Sequence, residues 1–389
     1  MLNRRILRIK AMQALYAYDL TINSLKEIFA DKVAALHQYD PAYHDVGQKP
    51  EFEKKQRLAR QQFLDHVQNG IATHGSDNPE DNATNEYLVA LKTQVENEKK
   101  SALSRMSGEI KNVYKMYLKL MLIPGEIAFI ERQEKEKKEK KARRVQDGSY
   151  YNFSSSPVVD AIATFKPLQE LSTKEKVNWN GELEVLRGWY KSSWRKNDDI
   201  LEYQSQASPS ETQHFEALKV LMKQLVFKTE EVDEYMSNTD LYWSENKAIL
   251  KSMIAKTIQS YEPELDPPLE LKALSLNEKD DFEYFDRLFV QTIAKDVELE
   301  EIIGKKTRNW DMSRVAALDK IILKMALTEM FSFPSIPVKV TINEFIEISK
   351  KYSTPKSKQF VNGILDVLAN ELTSEGLIKK SGRGLIDNK

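Results

Sequence analysis

The sequence predicts an all-α protein. Among its 389 residues only 13 are glycines and 13 are prolines, so few positions interrupt a helix. Residues with high helix propensity, above all Leu, Lys, Glu and Ala, fill the stretches between them, and segments that alternate apolar and polar residues as a strand does are almost missing. At roughly 100 to 200 residues per domain, the chain is long enough for two or three domains.

The first helix is predicted over residues 3–20, with Asn3 as its N-cap and neither proline nor glycine inside it. Residues 40–85 differ sharply, because Gly, Pro, Asn and Asp are concentrated there. We expect that region to be loop-rich or disordered around a short helix near 51–68.

A long helix is predicted over 85–122, and a second one is expected to start after Pro124 and Gly125. This second helix contains 131–144, which has four acidic and eight basic side chains. Such a mixed segment is typical of a solvated helix with i,i+4 ion pairs, although contact with RNA or another phosphate is an alternative. Residues 147–157 are expected to form a linker.

The C-terminal third contains the clearest helix signals. Residues 315–327 form a nearly all-apolar cylinder, so the helix that carries them is expected at the centre of a core. Thr341 and Glu344 are spaced as a capping box for the helix that follows them. Thr354 before Pro355 is the pattern of an N-cap followed by proline at the first helical position.

Composition and charge limit the function classes. The chain has no cysteine, which excludes disulfides, thiolate nucleophiles and cysteine-ligated metal sites and fits a reducing compartment. No apolar run approaches the roughly 18 residues of a membrane span, and charged residues interrupt the N-terminus too early for a signal peptide. We therefore expect a cytoplasmic protein.

The net charge of −1 hides an asymmetry between the ends and the middle of the chain. Residues 1–20 carry +3 and residues 305–389, with 15 basic and 9 acidic side chains, carry +6, so the middle carries −1 − 3 − 6 = −10. Two basic ends suggest one electropositive surface, although surface charge also varies without any functional reason.

The sequence lacks the motifs of common catalytic and cofactor sites. Its five histidines, at positions 37, 44, 66, 74 and 214, have no metal-ligand spacing. The stretch Gly304-Lys305-Lys306-Thr307 is similar to the end of a phosphate-binding loop, but the earlier glycine is missing and a second lysine replaces the required Ser or Thr. We predict no enzymatic activity, no cofactor and no bound metal.

Two segments resemble the NusB family of bacterial transcription antitermination factors. The first, RRILRIKAMQALY at 4–16, is similar to the arginine-rich helix that opens the family's fold. The second contains P-x-K-V-x-I-N-E at 337–344 and F-V-N-G-x-L-D at 360–366, in the family's order.

The resemblance implies a NusB-like helical bundle with a large helical insertion after the first helix. The RNA-binding core would then be discontinuous and consist of 1–20 together with 280–380. Residues 21–279 would be the insertion or an extra domain, and 381–389 a flexible basic tail.

Members of the family, as a class, bind boxA, a single-stranded element of nascent ribosomal RNA, together with the ribosomal protein NusE. That complex joins elongating RNA polymerase and suppresses premature, Rho-dependent termination. The resemblance implies the same RNA-binding role in transcription regulation here. A protein-interaction scaffold that keeps the fold without binding RNA is the alternative. An RNA-cytosine methyltransferase would need a catalytic cysteine and a glycine-rich cofactor loop, and the sequence has neither.

Five residues of the first helix are candidate RNA contacts. Arg4, Arg5 and Arg8 fall within a sector of about 100°, from which guanidinium groups can hold phosphates or base edges. Gln13 and Tyr16 lie one turn apart and offer hydrogen bonds to a base edge and a stacking face. Solvated surface charge is the alternative for the arginines, and ordinary packing is the alternative for the other two.

A second group of candidates opens the last long helix. Lys356, Lys358 and Gln359 precede Phe360, and an aromatic ring beside basic and amide groups is typical of proteins that bind single-stranded RNA. The alternative for Phe360 is a place in the core. Lys356 stands where relatives often have an acidic residue.

Other family-like positions are interpreted as structural. Asn362 and Gly363 suggest a close contact between helices. Glu329 and Asp319, acids on an otherwise apolar helix, are expected to pair with Arg314 or to cap a neighbouring helix.

Overall fold

A computed structural model describes residues 4–69, 79–141, 151–275, 277–306 and 315–388, and within these ranges the regular elements are all helical. The α-helices are α1 Arg4–Ala35, α2 Lys49–Asn69, α3 Pro79–Lys141, α4 Pro157–Ala163, α5 Lys166–Lys174, α6 Leu183–Ser192, α7 Asp198–Gln204, α8 Glu211–Val220, α9 Glu230–Thr239, α10 Trp243–Gln259, α11 Glu278–Ala294, α12 Asp296–Lys306, α13 Ala317–Ser332, α14 Val338–Tyr352 and α15 Ser357–Ser374. The prediction of an all-α fold is confirmed.

The chain divides into two compact units. The first unit comprises Met1–Ile6 and Glu109–Lys279, and the second unit comprises Leu7–Gly108 and Asp280–Lys389. No helix in the described ranges is long and apolar enough to cross a membrane.

Helix α13 lies at the centre of the second unit, as its apolar sequence predicts. Every residue from Ile321 to Met330 is buried, and α12, α14 and α15 pack against this helix. Burial on all sides explains why the apolar residues of α13 surround the whole helix and do not form a single stripe. From α11, Phe285 and Phe289 are also buried in the second unit.

A smaller core in the second unit explains why α1 extends beyond its predicted end and why the short helix predicted near 51–68 forms. Helix α1 continues past residue 20 to Ala35, whereas α2, Lys49–Asn69, confirms the short helix predicted near 51–68. Phe29 and Val33 of α1 pack with Phe63 of α2 and with residues near the start of α3. Burial of these apolar faces stabilises both helices despite the polar sequence around them. Residues 70–78 lie outside the described ranges.

The starts of α14 and α15 differ from the predicted caps. Pro337 occupies the N-cap position of α14, so Thr341 lies inside the helix and donates its hydroxyl hydrogen to Glu329 Oε1 at 2.7 Å. Helix α15 begins only at Ser357, with Lys356 at the N-cap position. The predicted caps at Thr341 and Thr354 are therefore wrong, because contacts with neighbouring helices decide these boundaries.

Two glycines near the C-terminus have opposite surroundings. A Cβ on Gly363 would meet no atom within 4 Å, so the close helix contact expected there is wrong. A Cβ on Gly384 would lie 2.0 Å from the Pro334 carbonyl oxygen, which leaves no room for a side chain. Gly384 belongs to a 3-10 segment, Gly382–Asn388, in the stretch expected to be a flexible tail.

The first unit is organised around the C-terminal half of α3. This helix passes through Pro124 without ending, which differs from the predicted break. Ile123 and Ile127 on either side of the proline are fully buried, and we attribute the continuity of the helix to this packing, which offsets the lost backbone hydrogen bond. Gly125 allows a close approach to α4, since a Cβ there would lie 3.1 Å from Ala163 Cβ.

Candidate nucleic-acid interface

Arg8 is buried and paired, which corrects the prediction that it presents its guanidinium to RNA. Its side chain is only 3% exposed, and that of Glu329 is fully buried. Arg8 donates from Nε to Glu329 Oε2 at 2.7 Å and from Nη2 to Glu329 Oε1 at 2.9 Å. The carboxylate thus occupies the two donors that would hold a phosphate, and this bidentate pair joins α1 to α13.

Glu329 is the centre of a larger network within the second unit. Its carboxylate also accepts hydrogen bonds from the hydroxyls of Tyr284 on α11 and Thr341 on α14. The Arg8 Nη1 atom lies 3.5 Å from Glu344 Oε2. Four helices therefore meet at one buried ion pair, in which Arg8 is a partner of Glu329; the expected partner Arg314 lies outside the described ranges.

The network keeps Arg8 charged although water is excluded. Burial by itself lowers the pKa of Arg8, but the Tyr284 hydroxyl and the carboxylates of Glu329 and Glu344 outweigh burial and raise that pKa above its ordinary value. The Arg8 guanidinium also lies 5.9 Å from the ring centroids of both Tyr284 and Phe345, which adds cation–π attraction.

The other candidates on α1 remain closer to solvent. Arg4 and Arg5 are exposed in the first turn and belong to the first unit, whereas Gln13 and Tyr16 belong to the second. Tyr16 is 38% exposed, enough for its ring to contact a base. Gln13 is half-buried, and its Oε1 is itself buried and accepts no hydrogen bond from the residues that the structure describes.

Three of the candidates at the start of α15 are polar and exposed, and a buried serine lies between them. Lys356, Lys358 and Gln359 are exposed, and Phe360 is half-buried. Between them Ser357 points inward and donates its hydroxyl hydrogen to Asp319 Oδ2 at 2.6 Å. Because Ser357 holds the start of α15 on α13, the three polar side chains face outward. Phe360 is predicted either to contact RNA or to lie in the core. Its half-buried position fits neither prediction fully.

Sequence reasoning did not identify the partners of the polar residues on α13. Lys324 donates to Asp296 Oδ1 at 2.6 Å and to Glu300 Oε2 at 2.8 Å, both on α12. Charged residues inside an apolar helix do signal buried pairs. Their spacing along the chain gives no indication of which distant residue completes each pair.

The described residues contain no group of three or more His, Asp or Glu side chains placed to hold a metal ion. His214, the buried histidine of the first unit, shares a hydrogen bond of 2.7 Å between Nδ1 and the Tyr203 hydroxyl. Burial lowers the pKa of His214. We interpret this histidine as structural, because its hydrogen bond joins α8 to α7.

One part of the chain is similar to a known protein family. A sequence model of the NusB family matches residues 246–370. This range begins inside α10, earlier than the position 280 expected for the second part of the core, and it does not include α1. No solved structure shows a significant match to the chain.

Three similar proteins are each named Transcription antitermination protein NusB. The one from Salinibacter ruber is 44% identical over 104 residues, which are 27% of this chain and 65% of the relative. The one from Chloroherpeton thalassium is 49% identical over 90 residues, 23% of this chain and 43% of the relative. The one from Dictyoglomus turgidum is 42% identical over 88 residues, 23% of this chain and 59% of the relative. The chain thus spans less than two thirds of the length of each.

Proposed function

Because residues 246–370 are a NusB-family domain, we propose that this chain is a transcription antitermination factor that binds boxA-type single-stranded RNA. In this proposal it binds the leader of ribosomal RNA transcripts together with NusE, joins elongating RNA polymerase and suppresses Rho-dependent termination. It acts as an adaptor and not as an enzyme. The observation that carries the proposal is the 42 to 49% identity to proteins named for antitermination.

The exposed candidates divide into two chemical roles. Arg4, Arg5, Lys356 and Lys358 would neutralise phosphates, and this contact would make binding dependent on salt. Tyr16 and Phe360 would stack on bases, while Gln13 and Gln359 would hydrogen-bond to base edges. Arg8 has a different role in this proposal, because its ion pair with Glu329 holds α1 in place and its guanidinium is buried away from solvent.

A protein-interaction scaffold is the second candidate function. One observation favours it: the matched range leaves out α1, which carries Arg4, Arg5, Gln13 and Tyr16. Salt dependence distinguishes the two functions. With about four phosphate contacts to a single strand, log K should fall with log salt at a slope near −3. A scaffold would bind no RNA at any salt concentration.

The proposed function is tested by fluorescence anisotropy with a labelled boxA-type RNA and a scrambled RNA of equal length, each with and without NusE. We expect the full chain with NusE to prefer the boxA-type strand. Arg4→Ala/Arg5→Ala and Lys356→Ala/Lys358→Ala should each reduce the affinity about tenfold or more. Lys166→Ala/Lys174→Ala, which removes two exposed lysines of α5, serves as the control. Equal binding of both RNAs with NusE present would refute the proposal.

A further inference from the structure

A groove in the first unit has an apolar floor and a basic rim. It has a volume of about 430 Å³ and lies between the α8 region and α10. Met222, Phe227 and Ile254 form much of the floor, and Lys219, Lys223 and Lys251 stand at the rim. A concave apolar surface of this size is within the range of ligand sites.

The rim has an excess of positive charge. Among the lining residues there are three lysines and one acid, Glu216, so the local balance is 3 − 1 = +2. Glu216 pairs with Lys219 at 2.6 Å. Lys223 and Lys251 are exposed, and neither has an ion-pair partner in the part of the chain that the structure describes. Two positive charges are therefore available above an apolar floor.

The backbone on one side of the groove is irregular. Residues Leu221–Val226, directly after α8, form a π-helical turn, and Met222 and Lys223 both belong to it. Such turns are frequent at functional sites, and the extra residue changes which side chains a helix presents. This wall precedes residue 246, whereas the wall made by Lys251 to Gln259 lies inside the NusB-matched range. The groove therefore depends on residues that the family match does not include.

We propose that this groove binds an acidic amphipathic helix of a partner protein. The apolar floor would take side chains spaced i, i+3 or i+4, and i+7 on one helix face. Lys223 and Lys251 would attract carboxylates on the flanks of that face, which contributes specificity and a faster association.

Phe227 argues against a nucleic acid as the occupant. Its ring stacks on Trp243 with an interplanar angle of 3° and a centroid distance of 6.0 Å, and its side chain is buried. The ring is therefore already packed and offers little face to a base. Single-stranded RNA sites need accessible aromatic faces in addition to positive charge.

The test uses two fluorescent helical peptides as probes, one with Leu and one with Phe at the i, i+3 and i+7 anchor positions, both with Glu on the flanks. A scrambled peptide of the same composition and a peptide with Lys in place of Glu are the controls. Binding to the full chain is followed by anisotropy, and hydrogen exchange of α8 and α10 locates the site.

We expect at least one acidic amphipathic peptide to bind and both control peptides to bind at least tenfold more weakly. Lys223→Glu/Lys251→Glu should weaken binding about tenfold or more. Ala255→Trp, which fills the groove from an exposed position on α10, should weaken it without removing charge. Lys166→Glu/Lys174→Glu changes the charge of the same unit equally and should have no effect.

Three outcomes would overturn the proposal. The first is that neither acidic peptide binds, and the second is that the scrambled peptide binds equally well. The third is that sodium dodecanoate or a single-stranded RNA, and not the peptides, binds in a manner that Lys223→Glu/Lys251→Glu abolishes. Circular dichroism verifies that each variant is folded. These results do not depend on the proposed RNA-binding function, because the groove contains none of its candidate residues.

Discussion

The buried pair of Arg8 and Glu329 should be among the most sensitive points of the second unit. Replacing Arg8 with Met leaves the Glu329 carboxylate without its countercharge, although the hydroxyls of Tyr284 and Thr341 remain bonded to it. Both side chains are almost inaccessible to water, so solvent cannot screen the remaining charge. Breaking a buried pair of this kind costs about 3 to 5 kcal/mol.

The double variant Arg8→Met/Glu329→Gln separates the loss of the pair from the penalty of an unpaired charge. Because it contains no isolated buried charge at these two positions, we expect it to be more stable than Arg8→Met alone. Arg60 provides the matched control, since its ion pairs with Asp31 and Glu27 are on the surface. Arg60→Ala should cost at most about 1 kcal/mol.

The measurement is native-state hydrogen exchange combined with urea unfolding of the full chain. Exchange is needed because two compact units can unfold separately, and peptides from α13 and α14 report on the second unit alone. Arg8→Met should lower protection there and leave α5 and α6 unchanged. If Arg8→Met costs no more stability than Arg60→Ala, the structural role assigned to Arg8 is refuted.

Two further changes test other parts of the structure. Burial raises the pKa of Glu131 to about 7, against opposing hydrogen bonds from Ser154 and Gln204. The folded state therefore binds this proton more tightly than the unfolded state, and up to about 3 kcal/mol of stability present below pH 4.5 should be lost as the pH rises through 7. Urea unfolding followed by tryptophan fluorescence should show this decline, and an equally steep decline in Glu131→Gln would contradict the assignment. Gly384→Ala should cost about 1 to 3 kcal/mol and increase exchange over Gly382–Asn388, because the new methyl group overlaps the Pro334 carbonyl. Gly363→Ala, which meets no neighbour, should be neutral or slightly stabilising by the same assay.

Much of the fold could be predicted from local features of the sequence. The scarcity of Gly and Pro indicated an all-α chain, and the nearly all-apolar segment 315–327 indicated the central position of α13. The motifs at 337–344 and 360–366 indicated a resemblance to the NusB family, and a sequence model of that family matches residues 246–370, which contain both motifs. These properties are local, since helix propensity and apolar periodicity depend on residues within one or two turns.

Only part of the candidate interface could be predicted from local sequence features. Helical spacing placed Arg8 on the same face as Arg4 and Arg5, but spacing does not show whether that face meets solvent or another helix. The charge of Arg8 is satisfied by Glu329, 321 residues away in the chain. No local sequence pattern can identify a partner at that separation along the chain.

The sequence by itself determined the helical class, the central apolar helix and the similarity of the C-terminal region to the NusB family. Only the tertiary structure decided that Arg8 is an internal anchor, that α3 continues through Pro124 and that α14 and α15 begin without their predicted caps. It also decided that Lys223 and Lys251 lie above one apolar floor. The physical reason is that burial and charge pairing depend on which helices pack together, and this packing joins residues that are far apart in sequence.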